Sequence, residues 1–108
     1  MENFSVESIQ FIFCSDEYLL EINKYFLKHN YYTDVITFSE SFGSVLNGEI
    51  YISVERVKEN SKNFRVEYDQ ELNRVLIHGV LHLMNYLDST KKEKALMTSK
   101  ENLFLAKF

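Results

Sequence analysis

The chain has 108 residues and 12.8 kDa, enough for one domain around one core, read as spanning residues 1–108. Hydrophobic residues at 45% and charged residues at 26% exclude a disordered tail, and no apolar run approaches the roughly 20 residues that cross a bilayer. Twelve Lys and Arg against sixteen Asp and Glu leave a net charge of −4, which excludes a domain that grips nucleic acid through its overall charge, so an RNA ligand would need a local basic patch or a partner.

The opening MENFSVESIQFIF carries no basic stretch ahead of its apolar run and does not read as a secretory signal. Ile9, Phe11 and Phe13 alternate within Ser8 to Cys14, which predicts a first strand. The lone Cys14 can form neither an internal disulfide nor a cysteine cluster; it reads as a small core residue and suggests a reducing, cytoplasmic setting. Ser15 followed by Asp16 and Glu17 gives a cap and an acidic first turn, and Leu19, Ile22 and Phe26 recur at helical spacing to about Lys28. Thr33 to Phe38 alternates and is rich in β-branched residues, predicting a second strand, with Asp34 placed to cap or turn the chain before it. Ser39 to Asn47 reads as a loop, Gly48 to Ser53 as a third strand, and Ser53 as the cap of a short helix to about Ser61.

From Asp69 to Tyr86 the pattern is helical and apolar almost all round: Leu72, Val75, Leu76, Ile77, Val80, Leu81, Leu83 and Met84. Such a helix is predicted to lie buried at the centre of its domain. Thr90 and Glu93 then fit a capping box that opens a last helix to about Ala106. Strands interleaved with helices predict an α+β fold, a small mixed β-sheet packed with helices, whose central buried helix carries the site.

His78 and His82 are four residues apart on that helix, so their directions differ by about 40° around its axis and both rings face one side. Two neutral imidazoles so placed can hold one divalent ion, and they can equally be core histidines satisfied by hydrogen bonds. Their setting favours the ion, because two titratable rings in an apolar helix are unfavourable without a partner. A third ligand has to come from beyond the helix. Asn85 tolerates left-handed backbone and could end the helix, letting Asp88 swing back beside both rings. The result is a two-histidine, one-carboxylate set with room for a water. Gly79 lowers helix stability by about 1 kcal/mol relative to Ala, which implies close approach of another backbone or of substrate at that point.

The stretch His78-Gly79-Val80-Leu81-His82-Leu83-Met84-Asn85-Tyr86-Leu87-Asp88 resembles the HGxLHLxGYxH signature of the YbeY family. Thr33 to Phe38 (TDVITF) is similar to that family's TDVLSF, and Gly48 to Ser53 (GEIYIS) to its GDIxIS, in the same order and spacing. The resemblance runs from about Ile9 to the C-terminus. It implies a zinc-dependent single-strand endoribonuclease that acts in small-subunit rRNA maturation, holding one zinc ion by His78, His82 and Asp88 plus a water. It also implies single-stranded RNA, the ribosomal small subunit, and a ribosomal protein or an Era-type GTPase as partners. Asp88 stands where the family usually has a third His; a carboxylate lowers the site's net charge and makes its water less acidic. Leu27 stands where the family carries an Arg that handles RNA, with Lys28 and His29 beside it, and most of the family's leading strand-helix segment is missing.

Other residues have two readings each. Arg74, one turn before His78, could meet a phosphate at the mouth of the site or be a surface arginine. Glu49 and Ser53 flank a strand that the resemblance sets near the cleft, where Glu49 could hold a water or a histidine N–H. Tyr31 and Tyr32 could stack on bases or simply rim a loop. Lys91, Lys92 and Lys94 read as a solvated face or an RNA contact. Two further functions compete with the nuclease. A metallopeptidase shares the ten-residue span from His78 to the third ligand, but has a glutamate base after its first histidine where Gly79 stands here. The other is a non-catalytic ribosome-assembly factor with a structural metal.

Overall fold

The computed structural model describes residues 5–106; residues 1–4, the start of the segment read against a secretory signal, and 107–108 lie outside it. The elements are β1 (Ser5–Cys14), α1 (Asp16–Leu27), β2 (Val35–Ser39), β3 (Val45–Ser53), α2 (Val54–Phe64), α3 (Tyr68–Leu83) and α4 (Lys91–Leu105). The sheet order is β1-β3-β2, with β1 parallel and β2 antiparallel to β3, so the sheet is small and mixed and the fold is α+β. Among the described residues no helix is long and apolar enough to cross a membrane.

The predicted elements are present, with shifted ends. β3 begins at Val45 rather than Gly48, because Val45 and Leu46 extend the alternation backwards. The expected loop over 39–47 therefore shrinks to a turn closed by paired Phe42 and Val45, with Gly43 at φ 59°. Ser15 caps α1 by accepting from Tyr18 N, and Ser53 caps α2 by accepting from Arg56 N. Buried Ser53 also donates to Asp16 Oδ1, and Arg56 pairs with Asp16 at 2.6 Å, pinning the start of α2 to the start of α1.

Period-two alternation gives the sheet two distinct faces. Leu46, Ile50 and Ile52 pack with Val75, Leu81, Leu83, Met97 and Phe104 from α3 and α4, forming the main core. Cys14, Phe38 and Tyr51 lie on the other face against Leu19, Ile22 and Ile36. The helix-sheet contact explains Gly79. A Cβ there would come within 2.7 Å of Ile50 Cγ2, so the approaching group is a β3 side chain rather than backbone or substrate.

α3 ends at Leu83, short of the Tyr86 to which the helical pattern runs, at the Asn85 turn the sequence offers. Asn85 takes the left-handed conformation at φ 69°, its N–H donates to the His82 carbonyl and that of Tyr86 to the Leu81 carbonyl, both at 3.0 Å. This is a Schellman closure, and it turns the chain back along the helix end it has just left.

Candidate metal centre

α3 carries both imidazoles, and the turn after Asn85 carries the groups that complete them. The His78 and His82 rings stand at 80° to each other with Nε2 atoms 3.0 Å apart. Asp88 Oδ2 lies 3.2 Å from His78 Nε2 and 3.4 Å from His82 Nε2. These three ligand atoms are a group able to hold a metal ion, and the structure brings together the residues expected to do so.

The hydrogen bonds behind the rings decide which nitrogen faces inward. His78 Nδ1 lies 2.5 Å from Glu101 Oε2 and His82 Nδ1 lies 3.0 Å from the Tyr86 carbonyl. A carbonyl can only accept, and an ionised carboxylate likewise, so both Nδ1 atoms carry a proton, and in its neutral form each ring turns an Nε2 lone pair toward Asp88. In that form three electron-pair donors converge, an arrangement that a proton or a metal cation between them stabilises. For zinc, ligand bonds of about 2.0–2.2 Å in a tetrahedron set neighbouring donors about 3.3–3.6 Å apart. The observed edges of 3.0, 3.2 and 3.4 Å need only a few tenths of an ångström of opening, so the residues fit the ion.

Glu101 is the residue that sequence reasoning missed. It is 6% exposed on α4, and its other oxygen accepts from Arg74 Nη1 at 2.7 Å, while Arg74 Nη2 donates to Asn102 Oδ1 at 2.8 Å. Burial alone would raise the Glu101 carboxyl, but the hydrogen bonds of His78 and Arg74 prevail and hold it below the ordinary glutamate value. Burial disfavours the His78 cation, yet Glu101, with Asp88 and Asp34 beyond it, holds the pKa above the ordinary histidine value. Met97, Glu101 and Phe104 are the buried stripe of α4, and a carboxylate on an apolar stripe is the signal that could have pointed to it.

Two cavities open beside the triad. One, of about 400 Å³, is lined by Asp34, Glu71, Arg74, His78, Asp88, Lys94 and Glu101 among others. The second, about 540 Å³, runs from His78, His82 and Asp88 along β2 to Leu27, His29 and Tyr31. Asp34 lines both. Its backbone role is the expected one, with Ser53 N donating to its carbonyl, but its carboxyl reaches the site wall, where burial first of all raises its pKa.

The remaining expectations divide. Arg74 lines the first cavity next to His78, with two of its five N–H groups committed to Glu101 and Asn102. Glu49 does not reach the site. It sits opposite Phe38 on the α1 side of the sheet, while its neighbours Gly48 and Ile50 face α3, and the glutamate that bonds His78 is Glu101 instead. Ser53 is a helix cap bonded to Asp16, away from the triad. Leu27 lines the groove wall, Lys28 is the left-handed cap of α1, and His29 stacks on Tyr31. Tyr32 turns the other way, donating to Glu17. Of the lysines at the start of α4, Lys94 reaches the first cavity.

The position after His78, where a peptidase would carry its glutamate, points Gly79 into Ile50, away from both cavities. Fold and site together define an α+β domain with an open two-histidine, one-carboxylate corner on its central helix. The family model for endoribonuclease YbeY matches residues 2–108. An endoribonuclease YbeY of Christiangramia forsetii is 50% identical over 107 residues, 99% of this chain and 75% of the relative. That of Flavobacterium psychrophilum is 52% identical over 101 residues, 94% and 72% of the two chains. The solution structure of TM1509 from Thermotoga maritima matches with a TM-score of 0.61 at 31% identity, covering 90% of this chain and 65% of that one. The chain belongs to the YbeY endoribonuclease family, and it spans about three quarters of the length of the curated relatives named here.

Proposed function

We propose that the chain works as a single domain, a zinc-dependent, single-strand-specific endoribonuclease of the cytoplasm that acts in 3′-end maturation of small-subunit rRNA and in ribosome quality control. One observation carries this reading: His78 Nε2, His82 Nε2 and Asp88 Oδ2 converge within 3.4 Å of one another beside grooves open to solvent. A zinc ion there supplies a Lewis acid for a phosphoryl oxygen and lowers the pKa of water toward neutrality.

The chain's own residues prepare that chemistry. Glu101 and the Tyr86 carbonyl keep each Nδ1 protonated, so both rings offer Nε2 in a fixed orientation. Asp88 brings one negative charge to the site. Arg74, held on α3 by Glu101 and Asn102, presents its uncommitted N–H groups to a phosphate at the mouth. With an overall charge of −4, delivery of RNA falls to the small ribosomal subunit and a ribosomal protein or Era-type GTPase.

Elemental analysis tests the site: about one zinc per chain in the wild type, none in His78→Ala or His82→Ala, and a severely weakened site in Asp88→Ala. Absence of stoichiometric metal in the wild type overturns the reading. Zinc-loaded protein is expected to cut single-stranded RNA and leave casein intact, and cleavage that survives His82→Ala belongs to a contaminating nuclease. A second reading, a non-catalytic assembly factor with a structural metal, is favoured by Leu27 on the groove wall and by the ion pair that engages Arg74. Metal-loaded protein that binds RNA without cutting it would select that reading.

A further inference from the structure

The groove along β2 ends, at its far side from the triad, on the loop after α1, and that end is built with care. Asn23, 2% exposed, accepts from His29 N at 3.0 Å through its backbone carbonyl, and its side chain donates from Nδ2 to the Tyr31 carbonyl at 2.9 Å. Lys28 at φ 60° turns the chain just ahead of both contacts. The backbone of one buried residue holds the start of the loop and its amide side chain holds the Tyr31 carbonyl. The His29 and Tyr31 rings stack at 5.1 Å between centroids and 19° between planes, and the Tyr31 hydroxyl shares a 2.9 Å hydrogen bond with His29 Nδ1. Tyr31 remains 55% exposed, although the residues around it are clamped.

Between this platform and the triad lie Leu27, Thr33 and Thr37. Thr37 pairs with Ile50 across the ladder, so it faces the α3 side of the sheet, and its buried hydroxyl has no hydrogen-bond partner among the described residues. The wall thus offers aromatic and aliphatic surface beside the Asp34 carboxyl, but no lysine or arginine. A ligand held here is gripped by a flat face rather than by its charge. At about 540 Å³ the groove is in the size range of sites for small ligands, enough for one nucleotide unit. We propose that Tyr31, backed by His29, is a stacking platform for an unpaired base of the RNA, and that it sets where the strand lies relative to His78, His82 and Asp88. Because every base has a π-face, such a platform selects for single strands without reading sequence.

The inference rests on the ribonuclease reading, and its test separates the two. A short single-stranded RNA made uncleavable by 2′-O-methylation and carrying 2-aminopurine is titrated with zinc-loaded protein, following base fluorescence and affinity. Stacking quenches the fluorescence in the wild type. Tyr31→Ala is expected to lose the quenching and about 5- to 150-fold in affinity, the range for one stacked base, while Tyr31→Phe keeps both. An RNA with an abasic site at the stacked position is expected to bind the wild type as weakly as the intact RNA binds Tyr31→Ala, with no further loss when the two changes are combined. Equal affinity of wild type and Tyr31→Ala, with unlabelled RNA still cut, overturns the platform and leaves the nuclease standing. A wild type that neither binds nor cuts RNA overturns both. Loss of affinity in Tyr31→Ala for an unstructured tyrosine-containing peptide, with RNA binding unchanged, assigns the platform to a polypeptide and overturns the proposal.

Discussion

The two imidazoles are held from behind by unlike partners, one by a side chain from another helix and one by a main-chain carbonyl four residues on. The difference matters for substitution. Tyr86 contributes through its carbonyl, so changing its ring leaves the His82 contact in place. Glu101 contributes through a carboxylate that also binds Arg74, and its loss frees both neighbours. Glu101→Ala is expected to weaken zinc binding about 10- to 100-fold, measured by competition with a chromophoric chelator. Glu101→Gln can still accept from His78 Nδ1 and is expected to lie nearer the wild type. Wild-type affinity in Glu101→Ala would remove Glu101 from the site. The histidine pair was legible in the sequence because four residues is a helical spacing, whereas Glu101 lies 23 residues from His78 on another helix, beyond any local pattern. Glu49 illustrates the opposite error. The resemblance set its strand near the cleft, but successive strand residues face opposite ways, and Glu49 is on the face away from α3.

At the scale of elements, the end of α3 is where local backbone preference becomes site geometry. The left-handed Asn85 sends Tyr86 back to bond at Leu81, and so brings the Tyr86 carbonyl to His82 and Asp88 to both rings. This was readable in advance, since Asn is one of the few residues that accept positive φ, and the Thr90–Glu93 capping box was readable for the same local reason. Asn85 is exposed, so its replacement tests backbone strain apart from packing. Asn85→Ala is expected to lower unfolding free energy by about 1–2 kcal/mol in urea denaturation and to weaken zinc binding with it. Asn85→Gly is expected to match or exceed the wild type in stability. Equal stability of all three would mean the turn is not held by this residue. What local rules did not supply was the group that approaches α3 at Gly79, because the contacting Ile50 is far away in sequence.

Across the molecule, acidic side chains from three separate elements or turns meet against α3: Asp34 before β2, Glu71 on α3 itself and Glu101 on α4. Glu71 is 5% exposed, and burial, followed by the charge of Asp34 and, more weakly, of Glu101, raises its pKa despite the opposing effect of Arg74. A carboxyl whose pKa is higher in the folded state contributes stability that is fully present below its unfolded value of about 4.3 and lost as pH rises through the folded one. Glu71→Gln, which stays neutral, is therefore expected to raise the melting temperature at about pH 8 and to leave it unchanged at about pH 4, in parallel thermal melts. A gain of equal size at both would show that ionisation is not the cause. Neither this cluster nor its direction of titration could be read from the sequence, because its members are brought together only by the packed fold.

The tie from Arg74 and His78 to Glu101 couples α4 to the candidate metal centre on α3, and on the zinc reading it couples the helix to the ion. Linkage between two such events is reciprocal, so whatever undocks the C-terminal helix loosens the ion by the same factor by which stripping the ion loosens the helix. A protease acting near the C-terminus would then act as a chelator would, and zinc-depleted chains would become the ones most readily trimmed.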